Sequence, residues 1–294
     1  MAEPNFIISG AVASGTSFLS HSIKDHPQIY LPKIMRPECG FFYKSWEYKK
    51  GLDYYRRRWF SDAMDEIAVG ERSSLYLHGV FNNVAQRIRN SYPDIKLIFC
   101  LRNPTERAFA NYRFTTLTGF ENLSFSEAIK REEERTRNAK GWKSELRIYS
   151  NVDRGKYYEQ LLPFYEAFGK DQILCIKSET MSKNPSETLR DVFQFLGVDD
   201  NFEPPEQASF TAPNVKSPRV QKLFKLIAGS KLDLITEGCR QQNSGGLLQK
   251  IVELNLTPKK QQMRESDRIF LNEYYAPHNR KLESLLGWDV TDWV

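Results

Sequence analysis

The feature that most constrains the fold is the alternation of short apolar runs with segments of helical periodicity. The first run covers residues 5–9, and four more follow at 28–31, 66–70, 96–101 and 172–176. Each has the length of one β-strand, whereas apolar residues between the runs recur at three- and four-residue spacing. Strands joined through helices run parallel, and helices then cover both faces of the sheet. We therefore predict an α/β fold with a central, mainly parallel sheet flanked by helices.

Two helices have clear start signals in the sequence. Asn184 precedes a proline and an apolar stripe that ends at Gly197, which predicts a helix between these two residues. Ser124 and Glu127 form a capping box. The charged segment that follows them predicts a second helix, with a solvated face, that ends near Gly141.

The chain is predicted to form one domain covering residues 1–294. We find no internal repeat, and a chain of 294 residues can bury a sizeable core without disulfides or a structural metal. Proline, glutamate, asparagine and serine become frequent between Asp199 and Pro218, but this stretch is too short for a free linker. We expect the segment after about residue 199 to wrap back onto the sheet as a helical C-terminal region.

Composition excludes several classes of protein. No apolar run approaches the roughly 18 residues of a membrane span, and the opening Met1-Ala2-Glu3-Pro4 lacks the positive charge of a secretory signal. The four cysteines are widely spaced, with no CxxC or Cys/His metal-binding pattern. The net charge of +5 is too small to indicate nucleic acid. We expect a cytoplasmic protein without metal, membrane or nucleic-acid partners, and its oligomeric state stays open.

The loop after the first apolar run has the form of a phosphate-binding loop. Gly10 and Gly15 flank it, and Thr16 and Ser17 begin a helix whose N-terminal amides and dipole favour an anion. The spacing resembles the P-loop pattern GxxxxGK[ST], but Thr16 stands where that pattern has lysine. A simple strand-to-helix turn explains the two glycines equally well.

Arg102 follows the fourth apolar run, at the carboxyl end of a predicted parallel strand. Ligands of open α/β sheets bind at this edge, and an arginine there is suited to bidentate contact with phosphate. A surface arginine paired with Glu106 is an equally good interpretation from this segment alone.

Five blocks taken together resemble the bacterial and heparan-sulfate-type sulfotransferases, which use 3′-phosphoadenosine 5′-phosphosulfate (PAPS). Each block alone is unspecific, but their order over about two thirds of the chain is specific. The blocks are the loop 10–17, Arg36-Pro37-Glu38-Cys39-Gly40-Phe41-Phe42, Gly70-Glu71-Arg72-Ser73-Ser74, the segment 102–112, and Asp153-Arg154-Gly155-Lys156-Tyr157.

The resemblance implies roles for individual residues. Residues Ala13, Ser14, Gly15, Thr16 and Ser17 would hold the 5′-phosphosulfate of PAPS, and Arg102 would bind the 3′-phosphate. Glu38 matches the general base that accepts a proton from the acceptor as it attacks sulfur. The resemblance also implies that Phe41 and Phe42 pack beneath the loop rather than touch substrate.

Two positions depart from the family pattern. Ala13 stands where the family has a lysine that neutralises the leaving phosphate, and Ala110 stands where the family has a serine that bonds the 3′-phosphate. Three explanations of Ala13 are open: an engineered change, a divergent enzyme that uses another cation such as Lys33, and a protein that binds nucleotide without catalysis.

The resulting hypothesis is a PAPS-dependent sulfotransferase that releases PAP, the bisphosphate product. Its acceptor would be a hydroxyl or amine of a small molecule, such as a natural product, or of a saccharide. The alternatives are a non-catalytic protein that binds PAP or PAPS and a P-loop phosphotransferase.

Overall fold

The computed structural model describes residues 2–33, 38–78, 83–205, 213–229, 232, 247–259 and 261–293. The strands are β1 (Phe6–Gly10), β2 (Ile29–Tyr30), β3 (Ala68–Arg72), β4 (Lys96–Leu101), β5 (Ile173–Lys177), β6 (Asn214–Val215) and β7 (Leu256–Thr257). The helices up to the third strand are α1 (Thr16–Ile23), α2 (Ser45–Tyr48) and α3 (Gly51–Trp59). Those that follow, up to strand β5, are α4 (Val84–Ser91), α5 (Pro104–Leu117), α6 (Phe125–Lys130), α7 (Glu132–Asn138), α8 (Trp142–Glu145) and α9 (Tyr157–Ala167). The remaining helices are α10 (Ser178–Lys183), α11 (Pro185–Leu196), α12 (Pro218–Ala228), α13 (Leu247–Leu254) and α14 (Glu265–Leu286).

The main sheet has five strands in the order β2-β3-β1-β4-β5, and all neighbours pair in parallel. The predicted α/β fold with a central parallel sheet is confirmed. The helix predicted after Asn184 is also confirmed, because α11 begins at Pro185 and ends before Gly197, which adopts a left-handed conformation.

Helices cover both faces of this sheet because successive strand residues point to opposite sides. Phe6 and Ile8 of β1 belong to a buried cluster that includes Leu19 of α1 and Val192 of α11. On the other face, Phe99 of β4 packs against Phe164 of α9, with ring centroids 5.0 Å apart.

The chain divides into two compact units. Unit 1 comprises Met1–Pro104, Lys156–Gln207 and Ala276–Val294 and contains the five-stranded sheet. Unit 2 comprises Thr105–Gly155 and Ala208–Tyr275, and it contains the antiparallel pair β6–β7. Its apolar core includes Phe109, Tyr112, Phe125 and Leu271. The prediction of a single domain with a C-terminal region wrapped onto the sheet stays a prediction.

The charged segment after Ser124 differs from its prediction. The capping box is present, but α6 ends at Lys130 and α7 starts at Glu132, so the helix does not continue unbroken toward Gly141. Glu132 is buried, where its carboxylate accepts hydrogen bonds of 2.7–2.8 Å from the backbone amides of residues 151–153. The predicted solvated face is present at Glu133 and Arg137, which are exposed and form an i,i+4 pair, whereas Glu132 lies on the buried side of the helix.

The residue ranges that the structure describes contain neither a membrane-spanning helix nor a metal-binding cluster. Among the helices in these ranges, none has the length and apolar character needed to span a bilayer. Within the same ranges, no group of three or more histidine, cysteine, aspartate or glutamate side chains has an arrangement that could hold a metal ion.

Candidate active site

The carboxyl ends of β1, β3 and β4 lie side by side in unit 1. The backbone amide of Ala11 donates to the carbonyl of Cys100 (2.7 Å), which ties the start of the loop after β1 to the end of β4. On the other side, Ser73 N–H donates to the carbonyl of Ile8 (3.0 Å). The segments that follow these three strands therefore meet at one edge of the sheet, where ligands of open α/β sheets bind.

The loop between β1 and α1 is shaped by two glycines. Gly15 has a φ of 90°, and a Cβ there would lie 2.5 Å from Cε of Met181. Gly10 has a φ of 154°, and a Cβ there would lie 2.6 Å from Cβ of Leu77. Both positions therefore require glycine for conformation and for close packing. Ala13 lies between them with a φ of 64°.

The loop has the features of an anion site. The first hydrogen bond within α1 runs from the backbone amide of Leu19 to the carbonyl of Gly15 (3.0 Å). The amides that precede Leu19 in the first turn therefore make no hydrogen bond within the helix. Ser14 is fully buried, and its hydroxyl has no hydrogen-bond partner among the residues the structure describes. The Ser178 hydroxyl donates to the carbonyl of Ser14 (2.5 Å) and supports the loop from below. A buried hydroxyl beside helix-start amides fits a phosphate or sulfate group.

Arg72 is a buried cation at this edge, and although it belongs to one of the five blocks, its burial and its contacts were not predicted from the sequence. It ends β3 and is 6% exposed, and its Nη1 donates to the hydroxyl of Ser17 in the first turn of α1 (2.5 Å). Its Nε lies 3.4 Å from Oε1 of Glu38. The available signal was a charged pair at the end of an apolar run, but the predicted strand ended at Gly70, two residues too early.

Glu38 is held next to this cation. Its Oε2 accepts hydrogen bonds from the backbone amide (2.9 Å) and the hydroxyl (2.8 Å) of Ser74. The side chain of Glu38 is 24% exposed, so the carboxylate keeps access to an incoming group. A small cavity beside it is also lined by Leu31, Pro32, Cys39, Trp59, Glu71 and Arg72.

Glu71 lies behind Glu38 and is completely buried. Its Oε1 accepts hydrogen bonds from the hydroxyls of Tyr76 (2.8 Å) and Tyr55 (3.3 Å), and its Oε2 accepts one from the hydroxyl of Ser73 (2.7 Å). Burial raises the pKa of Glu71 to about 7, although the three hydroxyls lower it in part. A carboxyl of this kind is placed to order its surroundings rather than to contact solvent.

Phe41 and Phe42 are both buried, as expected. Phe41 stacks on Tyr55 with ring centroids 4.5 Å apart, and Phe42 makes an edge contact with Tyr76 at 5.8 Å. These aromatic contacts fix the segment that follows Glu38 against the body of unit 1.

Arg102 follows β4, as the sequence predicts, and its backbone carbonyl accepts a hydrogen bond from Tyr157 (2.9 Å). Its guanidinium makes no hydrogen bond or ion pair to any residue of unit 1 that the structure describes. Glu106, the alternative partner considered from the sequence, pairs with Arg268 within unit 2 at 2.5 Å. An arginine at this edge of the sheet is suited to bidentate contact with an anion.

Two other residues named from the sequence lie elsewhere. Lys33 has an 84% exposed side chain and pairs with Asp62 at 3.7 Å. The buried cation that contacts the loop is Arg72, not Lys33. Ala110 is half-buried on α5 in unit 2, and its role toward a 3′-phosphate stays a prediction.

Comparisons with known proteins identify one family of similar proteins. The family model described as "Sulfotransferase domain" matches residues 3–279. A solved structure titled as a sulfotransferase from Alicyclobacillus acidocaldarius is 28% identical, with a TM-score of 0.71, and the match covers 100% of this chain and 99% of that one.

Curated relatives are similar over shorter shares of their own length. The heparan sulfate glucosamine 3-O-sulfotransferase 3B1 of Mus musculus is 28% identical over 66% of this chain and 46% of its own. The membrane-associated sulfotransferase kil1 of Dictyostelium discoideum is 30% identical over 38% of this chain and 23% of its own. The chain thus spans less than half the length of these two relatives.

Proposed function

Because the chain belongs to the sulfotransferase domain family, we propose that it moves a sulfuryl group from PAPS to a hydroxyl or amine of an acceptor. The products are PAP and a sulfated acceptor. The observation that carries the proposal is the position of Arg72, which contacts both the hydroxyl of Ser17 on the phosphate-binding loop and the carboxylate of Glu38.

The donor is held at both of its charged ends. The loop from Ala13 to Ser17 binds the 5′-phosphosulfate through helix-start amides and hydroxyl groups. Arg102 binds the 3′-phosphate, as a bidentate donor suited to that group. The buried, unpartnered hydroxyl of Ser14 supports the assignment of an anionic ligand to this loop.

Glu38 removes the proton from the acceptor. The acceptor oxygen or nitrogen forms a bond to sulfur as the bond from sulfur to the phosphate oxygen breaks, and its proton passes to the carboxylate of Glu38. The backbone amide of Ser74 donates to Oε2, and its hydroxyl lies within hydrogen-bond distance of both carboxylate oxygens. Together with Arg72, whose Nε lies 3.4 Å from Oε1, these contacts orient the carboxylate. The partial exposure of the side chain supports this role.

Arg72 compensates for the alanine at position 13. The family lysine at that position would neutralise the charge that develops on the leaving phosphate, and Ala13 cannot do so. Arg72 is a buried, permanently charged group in contact with Ser17, so its guanidinium can stabilise this charge. This arrangement supports a divergent active enzyme.

The acceptor is proposed only as a class. Two of the relatives named above act on heparan sulfate or are membrane-associated according to their names, and the family resemblance includes bacterial enzymes. A saccharide or small-molecule acceptor is compatible with the relatives' names and with the bacterial resemblance.

The free thiols of Cys39, Cys100 and Cys175 support action in a reducing compartment such as the cytoplasm.

Calorimetric titration with PAP, ATP and GTP tests the nucleotide assignment. We expect binding of PAP to be much tighter than binding of ATP or GTP, and a preference for ATP would instead support a phosphotransferase. Transfer of radioactive sulfate from PAPS to a panel that includes a non-sulfated heparan-type glycan, phenols and amines tests catalysis. Tight binding of PAP without transfer to any acceptor would favour the non-catalytic alternative.

A further inference from the structure

Two hydrogen-bond relays connect Glu71 to the segment that follows Glu38. The backbone amide of Gly40 donates to the hydroxyl of Ser73 (2.7 Å), which donates to Oε2 of Glu71 (2.7 Å). The backbone amide of Phe42 donates to the hydroxyl of Tyr76 (3.2 Å), which donates to Oε1 of Glu71 (2.8 Å). The buried carboxylate of Glu71 is therefore linked to two backbone amides in the segment after Glu38, those of Gly40 and Phe42.

We propose that Glu71 is a positioning residue that holds the base Glu38 in its working place through these two relays. The proposal rests on the proposed function, since it takes Glu38 as the base. Glu71 does not touch the acceptor or the donor in this scheme. Its effect reaches Glu38 through Gly40 and Phe42, which lie two and four residues further along the chain.

The direction of each relay explains why a carboxylate is needed at its end. A hydroxyl that accepts a bond from a backbone amide has one proton left to donate, and it needs an acceptor for that proton. An ionised carboxylate has no proton to donate, so it can accept hydrogen bonds from both hydroxyls at the same time. Bonds to an ionised acceptor are also about twice as strong as bonds between neutral groups. Neutral Glu71 therefore holds the segment less firmly than ionised Glu71.

The surroundings allow Glu71 to change its charge near neutral pH. The titratable and charged groups that face it are Tyr55 from α3, Tyr76 from the segment after β3, Glu38 and Cys39 from the segment before Gly40, and its neighbour Arg72. Burial is the largest influence on the pKa of Glu71, and the charge of Glu38 adds to it. Burial also raises the pKa of the Cys39 thiol and of both phenols, so these groups stay neutral around pH 7.

The chain provides a matched control for this proposal. Tyr55 and Tyr76 are both fully buried, and both donate to the same oxygen of Glu71. Of these two phenol hydroxyls, only that of Tyr76 accepts a hydrogen bond from the described backbone of residues 38–42. Tyr55→Phe and Tyr76→Phe each remove one hydroxyl from Glu71, but only Tyr76→Phe breaks a relay.

Amide hydrogen exchange of the ligand-free protein, resolved at Gly40 and Phe42, is the direct measurement. We expect Tyr76→Phe to lower the protection of Phe42 about fivefold to tenfold, in line with the loss of one hydrogen bond. Ser73→Ala should do the same at Gly40, while Tyr55→Phe should leave both amides within about twofold of the wild type. Equal losses in the two tyrosine variants, or no loss in Tyr76→Phe, would overturn the proposal.

The pH dependence of the hydrogen-exchange protection at the same two amides is a second measurement. A purely structural role of Glu71 would not produce such a dependence. Protection of Gly40 and Phe42, corrected for intrinsic exchange, should increase in the wild type as the pH rises through about 7. In Glu71→Gln it should be lower and independent of pH over that range. A wild-type profile as flat as that of Glu71→Gln would refute the dependence on charge.

Nucleotide affinity and transfer rate separate this proposal from the proposed function. Tyr76→Phe and Ser73→Ala should bind PAP with affinities within about twofold of the wild type. With an acceptor found in the panel, their single-turnover rates of sulfuryl transfer should fall about tenfold. Parallel losses of PAP affinity would show a general structural role and overturn the proposal. Failure of the wild type to bind PAP would refute the proposed function and leave the exchange results valid.

Discussion

Replacement of Arg72 by methionine removes the buried cation that joins the phosphate-binding loop to Glu38. The Arg72 side chain is 4% exposed, donates to Ser17 at 2.5 Å and lies 3.4 Å from Glu38, so water cannot replace it easily. A hydrogen bond to a charged group contributes about 1.5–3 kcal/mol. If the 5′-phosphate of a bound nucleotide loses one such contact, the affinity of the protein for that nucleotide should fall about 10- to 150-fold.

Calorimetric titration of Arg72→Met with PAP and with adenosine 5′-phosphate measures this loss. Both ligands carry the 5′-phosphate, so we expect their affinities to fall by similar factors. Arg72→Lys keeps the charge without the planar fork and should recover part of the loss. Lys33→Ala is the control, because Lys33 is 84% exposed and pairs with Asp62, and its PAP affinity should stay within about twofold of the wild type.

Two results would refute the role of Arg72. Unchanged affinity of Arg72→Met for both ligands would show that the cation does not reach the 5′-phosphate. A loss confined to PAP would place it at the 3′-phosphate instead. Thermal unfolding of each variant, with and without PAP, separates loss of the fold from loss of the contact.

Four further predictions follow from the same site. Arg102→Ala should weaken PAP binding by about 1.5–3 kcal/mol and leave adenosine 5′-phosphate nearly unchanged in calorimetry, whereas equal losses would contradict the 3′-phosphate assignment. Glu38→Gln should remove most turnover in single-turnover assays and keep PAP affinity similar, and an active variant would exclude Glu38 as the base. Ala13 already has a φ of 64°, so Ala13→Lys adds little new backbone strain. Because Arg72 already supplies the cation, the substitution should raise the transfer rate by less than about tenfold, and a rise of about 100-fold would show that Arg72 does not compensate for Ala13. The pKa of Glu71 is about 7 in the fold against 4.5 in the unfolded chain, so its ionisation opposes folding and the wild type loses stability as pH rises between these values. The free energy of unfolding in urea should fall in the wild type relative to Glu71→Gln by up to about 3 kcal/mol between pH 4 and pH 8. If the difference between the two proteins is the same at both pH values, the raised pKa is contradicted.

Local patterns were sufficient to predict the sheet and the loop that joins β1 to α1. Apolar runs with the length of strands, separated by helical segments, identify parallel strands because the pattern depends on neighbouring residues alone. The loop between Gly10 and Gly15 and the position of Arg102 after β4 follow from the same order of elements. The resemblance to a known family then added the role of Glu38, which spacing alone does not indicate.

The partners of Glu71 and Arg72 could not be predicted in the same way. Charged residues at the end of a strand look like the beginning of a loop, so the predicted strand ended at Gly70. Their burial depends on Ser17, Tyr55 and other groups that are distant in sequence and meet only in the folded chain. The sequence shows which side chains are charged, but only the packed structure shows which of them are buried.

The support that Ser178 and Met181 give to the phosphate-binding loop affects the order in which the protein becomes able to bind its ligand. Ser178 contacts Ser14 across 164 residues of chain, and Met181 packs against Gly15. Such distant contacts form late, because long loops must close first. During synthesis, the ribosome completes the residues of the loop long before it makes the residues that brace it. We therefore expect the nascent chain to gain affinity for nucleotide only after β5 and α10 have emerged and docked.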